Sequence, residues 1–197
     1  MPKPASARLR SGLWVAVIVL AIIATVAAVL VKAPGGGLGG GSYSLVDQAG
    51  RQVDQTVFSG HPSLLFFGYT HCPDVCPTTM SEMAVWFSTL SEEARDLRAY
   101  FVTVDPERDT PAVLGDYVTW ISDRITGLTG SRAEIDRIIA AWHVVAERVP
   151  GDNGDYTVNH TASVFLLNRR GEFEGTIAYG EAADSAIDKI RRLLTLG

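Results

Sequence analysis

The longest uninterrupted apolar stretch runs from Leu13 to Val31, 19 residues without a charge. As a helix it would reach about 28 Å, close to the thickness of a bilayer's hydrocarbon core. The pattern then breaks at Pro34-Gly-Gly-Gly-Leu-Gly-Gly-Gly-Ser42, which holds no regular structure and reads as a tether. From Tyr43 onward, short apolar runs alternate with helical periodicities. Tyr43 to Val46 and Gln52 to Val57 flank Asp47-Gln-Ala-Gly50 and predict a hairpin. Ser63-Leu-Leu-Phe-Phe67, ended by Gly68, predicts a buried strand, and Met80, Met83, Ala84, Phe87 and Leu90 predict a helix over 78–90.

Ala99 to Val104 is a second buried strand. It stops at Asp105-Pro-Glu-Arg-Asp-Thr-Pro111, where the prolines forbid ladder pairing and Asp109 or Thr110 is placed to cap a helix from Pro111 to Ile121. Ser131 followed by Glu134 is a capping-box pattern that opens a helix through about Ala141. His143 to Val149 reads as a strand, 151–155 as a loop, and Ala162 to Leu167 as a buried strand. Asn168-Arg-Arg-Gly171 turns the chain into Glu172 to Tyr179, and Asp184 to Leu196 closes it with an amphipathic helix. A strand–helix–strand unit, a helix, a hairpin and a last helix predict an α/β domain, a thioredoxin-like sandwich with an N-terminal hairpin, preceded by one transmembrane helix.

Charge supports this division. Residues 1–12 hold Lys3, Arg8 and Arg10 and no acidic side chain, which predicts a cytoplasmic N-terminus, a transmembrane anchor at 13–31 and a linker at 32–42. A cleaved signal peptide is the competing reading, but its apolar region usually spans ~7–15 residues and no clear Ala-x-Ala site follows here. The remaining 43–197 suffice for one well-buried domain. The whole chain carries −5, but its first 32 residues hold four basic and no acidic side chains, leaving 13 basic against 22 acidic beyond them. Such an acidic surface argues against nucleic acid as a partner.

Cys72 and Cys76, the only two cysteines, stand where the apolar strand gives way to the first helix. Residues four apart in a helical turn share a face, so the sulfurs can converge on a metal or on each other, and the spacing alone favours a disulfide. Unpaired amides at a helix N-terminus also stabilise a thiolate, the form that binds metal and attacks disulfides.

Three motifs extend the reading. Gly68-Tyr-Thr-His-Cys-Pro-Asp-Val-Cys-Pro77, Val104-Asp-Pro-Glu-Arg-Asp-Thr-Pro111, and Val158-Asn-His-Thr-Ala162 before Phe165-Leu-Leu-Asn-Arg-Arg-Gly171 occur in the order and spacing of the Sco/SenC family, which the chain resembles over 43–197. The resemblance implies a membrane-tethered, thioredoxin-like copper chaperone for the dinuclear copper centre of cytochrome c oxidase subunit II. It makes Cys72, Cys76 and His160 the copper ligands and implies a copper donor, a thiol reductant and subunit II as partners. The domain would face the periplasm from a bacterial inner membrane. Members often carry Asp before this histidine where the present chain has Asn159, which bears on how the imidazole is oriented.

Two thiolates and an imidazole form a soft, low-coordinate set suited to Cu(I) and able to hold Cu(II), whereas structural zinc asks for four ligands. Thioredoxin-type redox proteins place a cis-proline loop beside the dithiol, and here the segment entering the strand at 162–167 carries His160 and no proline. A thiol-disulfide oxidoreductase using Cys72 and Cys76 is the alternative function. A thiol peroxidase is disfavoured, since nothing around Cys72 resembles that family's signature. His71 reads as an exposed loop residue before a spare ligand, and His61 and His143 as a turn and a strand end. Asp74 is a candidate N-cap, and Asp105 either a turn-former or a group approaching the site. Trp86, Phe87, Trp120 and Trp142 read as core. The 106–111 loop reads as charged and solvent-facing.

Overall fold

The structure, a computed structural model, describes residues 37–196 and, apart from them, Val19 alone. The predicted cytoplasmic N-terminus and, Val19 apart, the predicted anchor lie outside the described residues, as does the start of the linker. Among the described residues no helix is long and apolar enough to cross a membrane.

Among the described residues, nine strands and four α-helices build the domain. Strands β1 (Ser44–Asp47), β2 (Gln52–Asp54), β3 (Ser63–Gly68), β4 (Arg98–Thr103), β5 (Ile125–Thr129), β8 (Val164–Leu167) and β9 (Phe173–Ile177) form one sheet in the order β2-β1-β5-β4-β3-β8-β9. Strands β3, β4 and β5 run parallel, while β1 and β8 join them antiparallel. A separate two-stranded sheet pairs β6 (Ala146–Pro150) with β7 (Tyr156–His160). The helices are α1 (Val75–Leu90), α2 (Pro111–Ile121), α3 (Arg132–Ala141) and α4 (Ala183–Thr195).

The central strands are buried on both faces, which is why β3 reads as a continuous apolar run and not as an alternation. Their side chains sort to two layers. Phe66 leans on Phe101, and Phe101 on Tyr117 of α2. On the other face, Phe67 meets Phe165 edge-on, Phe165 meets Trp142, and Trp142 meets Phe58. Trp142 is 1% exposed, and Gly39 lies flat on its indole, where a Cβ would sit 2.3 Å from the ring.

Several expectations need correction. Strand β5 was not expected, because Ile-Thr-Gly-Leu-Thr carries too few apolar residues to announce itself. It is buried because Gly127 lets Leu114 of α2 press against the backbone, 2.7 Å from where a Cβ would stand. The expected strand at 143–149 begins only at Ala146, since His143 adopts φ 51 just beyond α3, where its amide and that of Val144 close the helix end onto Ala140 and Ile139. Trp120 is not core but 79% exposed. Helix α2 buries Leu114 and Val118, and a residue two positions beyond Val118 emerges on the opposite side. The capping box at Ser131 is half made. The Ser131 hydroxyl accepts from the Glu134 amide, but the Glu134 carboxylate takes the Ser44 amide instead of turning back.

Candidate metal centre

The centre forms where β3 ends. At Gly68 the strand's last carbonyl accepts from the Val104 amide at 2.8 Å, so β3 and β4 stop together and the chain turns over their ends. Helix α1 starts earlier than expected, at Val75, which places Cys76 in its first turn and Pro77 where a missing N–H costs little. Asp74 occupies the N-cap position, yet its carboxylate accepts only the Thr78 hydroxyl, at 3.3 Å. The cap is the sulfur of Cys72, which accepts from the Cys76 amide at 3.3 Å.

Strand β7 was hidden in the sequence because Tyr-Thr-Val-Asn-His has a single aliphatic residue. Its alternation is nevertheless regular: Val158 is buried, Tyr156 and His160 half-buried, and Thr157 and Asn159 exposed. Asn159 therefore points away from the centre, and a carboxylate there would not reach the imidazole. The ring is held instead by its Nδ1–H donating to the Thr161 carbonyl at 3.0 Å, which leaves the Nε2 lone pair facing the sulfurs. Phe66 and Tyr69 flank the ring edge-on with centroids 6.0 and 5.8 Å away.

Cys72 Sγ, Cys76 Sγ and a ring nitrogen of His160 lie within 4.8 Å of one another. His160 Nε2 is 3.2 Å from Cys76 Sγ and 4.0 Å from Cys72 Sγ. Both cysteines are free thiols, and Cys72 is 9% exposed against 0% for Cys76. Gly68 makes the approach of Cys76 feasible: a Cβ there would sit 2.7 Å from Cys76 Sγ and 2.7 Å from the Phe101 ring. His71 stays outside, exposed, with Nδ1 3.0 Å from the Thr70 hydroxyl. His61 pairs with Asp96 at 2.7 Å, in a turn as expected.

The two thiols are electrostatically unequal. Donation from the Cys76 thiol, aided by His160 and by backbone amides at the helix start, pulls Cys72 down to about 4. The same hydrogen bond and burial push Cys76 up. Cys72 is thus a thiolate above about pH 4, whereas an ordinary cysteine ionises near ~8.5. Alkylation of Cys72 by iodoacetamide in the reduced protein should persist as pH falls below neutrality and fade only as it passes through about 4. A rate that falls away already near pH 8 would show that the thiolate is not held.

The 106–111 loop is not simply solvent-facing. Asp105 and Asp109 are wholly buried, and Thr110, not Asp109, caps α2 through the Val113 amide. Asp105 does form a turn, its carbonyl accepting from the Arg108 and Asp109 amides, but its carboxylate also accepts from Arg108, from Arg148 at 3.1 Å and from the Tyr156 hydroxyl at 2.8 Å. Sequence alone did not identify these partners, since none lies near Asp105 in a recognisable motif.

The SCO1/SenC family profile matches residues 32–195. The chain belongs to the SCO1/SenC family. It is 35% identical over 136 residues to a SCO2-like protein of Rickettsia felis, covering 68% of this chain and 66% of that relative, just under two thirds of its length. ScoI of Bradyrhizobium japonicum, solved with copper bound, shares 39% identity with TM-score 0.72, covering 78% of this chain and 98% of that one. BsSco, described as a member of the Sco family of cytochrome c oxidase assembly proteins and the subject of a disulfide switch, shares 25% identity with TM-score 0.64, covering 84% and 98%. The thioredoxin-like α/β fold is thus that of the Sco proteins, and in this member the donor set of two thiols and one imidazole fits copper.

Proposed function

We propose that this protein is a copper metallochaperone acting in assembly of the dinuclear copper centre of cytochrome c oxidase subunit II. The observation that carries the reading is the convergence of Cys72, Cys76 and His160 within 4.8 Å, a set too small for structural zinc and soft enough for copper. The thiolates hold Cu(I), and the neutral imidazole allows Cu(II) as well. Cys72, 9% exposed against 0% for Cys76, is the ligand from which an acceptor's thiol or thioether would begin to draw the metal. Copper-bound ScoI supports the cargo, and the assembly role described for BsSco supports the destination.

The charge-free run at 13–31 behind a basic flank supports an uncleaved anchor in a bacterial inner membrane, with the domain in the periplasm. A reporter active only outside the cytoplasm, fused after Gly197, should work. Activity of a cytoplasm-only reporter at that position would reverse the orientation.

One observation favours a second reading, reduction of the acceptor's cysteines. Cys72 is held as a thiolate beside a protonated Cys76, the arrangement a dithiol uses to attack and then resolve a mixed disulfide. His160→Ala separates the two. It removes one of three metal donors and leaves both sulfurs, so copper binding should fall sharply while the dithiol still cycles. Delivery predicts oxidase lacking its dinuclear centre, partly restored by excess copper. Normal oxidase assembly in that mutant, with copper binding shown to be lost, would replace delivery by reduction.

A further inference from the structure

We infer that the buried Asp105 turn positions the histidine donor: its carboxylate fastens the β6–β7 hairpin, and with it His160, to the same turn that holds the cysteine loop. The inference rests on the copper reading for its consequence but not for its geometry.

The hairpin needs such a fastening because β6 and β7 pair only with each other and not with the main sheet. All residues of β6 after Ala146 are exposed, and of β7 only Val158 is fully buried. Apolar packing therefore holds it weakly, and polar contacts must supply its register over the centre. Both strands reach Asp105. From β6, Arg148 donates to its Oδ1 at 3.1 Å. From β7, the Tyr156 hydroxyl donates to the same oxygen at 2.8 Å. Arg108, three residues along the turn, donates through Nε to Oδ2 and through Nη1 to the Tyr156 carbonyl at 3.1 Å. Its guanidinium lies 3.8 Å from the Tyr156 ring centroid and 5.6 Å from that of Tyr69. The Tyr69 hydroxyl in turn accepts from the Val158 amide at 3.2 Å.

The other end of the turn grips the cysteine side. Asp109 accepts from the Thr70 hydroxyl at 2.6 Å and the Thr70 amide at 3.1 Å, two residues before Cys72. Thr103 fixes the turn from below, its hydroxyl donating to Asp109 and accepting from the Asp105 amide at 2.9 Å. These side chains thus set the distance between a thiolate loop and an imidazole hairpin that are otherwise built on separate sheets. Removing one member of a buried charge network leaves the rest unpaired, and groups that orient a metal ligand typically change affinity by about 10–100-fold.

The test uses the full chain as Asp105→Asn, Tyr156→Phe and Glu107→Gln. Glu107 pairs with Arg132 and Arg148 on the same turn but is half exposed, so it serves as the control. In the metal-free protein, amide exchange across 146–160 should rise at least about tenfold in Asp105→Asn. It should rise less in Tyr156→Phe, which loses one hydroxyl, and stay near the parent in Glu107→Gln. Amides of β3 and β4 should keep their protection. With copper bound, histidine superhyperfine structure in the Cu(II) resonance spectrum should weaken in Asp105→Asn alongside the fall in affinity. Unchanged exchange in the hairpin of both Asp105→Asn and Tyr156→Phe, or a rise shared equally by β3 and β4, would overturn the inference. Should the parent bind no copper, the proposed function fails while hairpin exchange still decides this question; should Asp105→Asn not fold, Tyr156→Phe decides it.

Discussion

Cys76→Ser is expected to abolish tight copper binding by the reduced protein. The residue supplies one of three donors, lies wholly buried, and sits 3.2 Å from the imidazole that completes the set. A hydroxyl in its place is neither soft nor ionised at neutral pH, so one thiolate and one imidazole remain, too few soft donors for tight binding. Altering a group that merely orients a ligand costs about 10–100-fold in metal affinity, and losing the ligand itself should cost more. Cys72 should keep its thiolate character, since a serine hydroxyl can donate to it where the Cys76 thiol did. Competition with a Cu(I) chelator measures the first effect and alkylation at pH 6 the second. Copper retention equal to the parent's would remove Cys76 from the ligand set.

Gly68→Ala should damage stability and site together. The added methyl has no room: Cys76 Sγ and Phe101 Cε2 both stand 2.7 Å from its position, and Phe101 is itself locked between Phe66 and Tyr117. Either β3 or the first turn of α1 must move. Overpacking of this kind costs about 1–3 kcal/mol, which for a domain of this size lowers Tm by roughly 3–10 °C. The same displacement moves Cys76 away from His160, so copper affinity should fall too. A variant with parental Tm and parental copper affinity would show that the contact at Gly68 is not a constraint. A drop in Tm alone would mean that the strain is relieved through Phe101.

The parts of this molecule that were legible are those whose signal is local. Strand β3 announces itself through five consecutive buried residues and a glycine, α1 through Met80, Met83, Phe87 and Leu90, and the cysteine pair through its place between them. His160 lies 84 positions from Cys76, and nothing in its neighbourhood marks it as a ligand; only the resemblance to a family joined it to the sulfurs. Strands β5 and β7 escaped because each is made by its partners, β5 by Leu114 pressing on Gly127 and β7 by its pairing with β6. The burial of Asp105 and Asp109 escaped for the same reason. Between prolines, charged residues signify surface, and only Arg148 and Tyr156, 43 and 51 positions on, and Thr70, 39 positions before Asp109, turn that turn inward. Trp120 is the reverse case, an aromatic residue placed in the core by its chemistry and put outside by its angle on α2.

The separation of the donors along the chain also orders events in the life of the molecule. Cys72 and His160 are 88 residues apart, and the chain between them includes β4 and β5, which pair in parallel onto β3 through non-local contacts that are slow to form. An unfolded chain offers a metal two thiols four residues apart, with the imidazole on average tens of ångströms away. The three-donor site exists only once long-range closure has brought His160 to the sulfurs, so copper that prefers this site to the open chain adds to the stability of the folded state. A newly made chain therefore offers copper its two thiols alone, and gains the imidazole only when its tertiary structure exists.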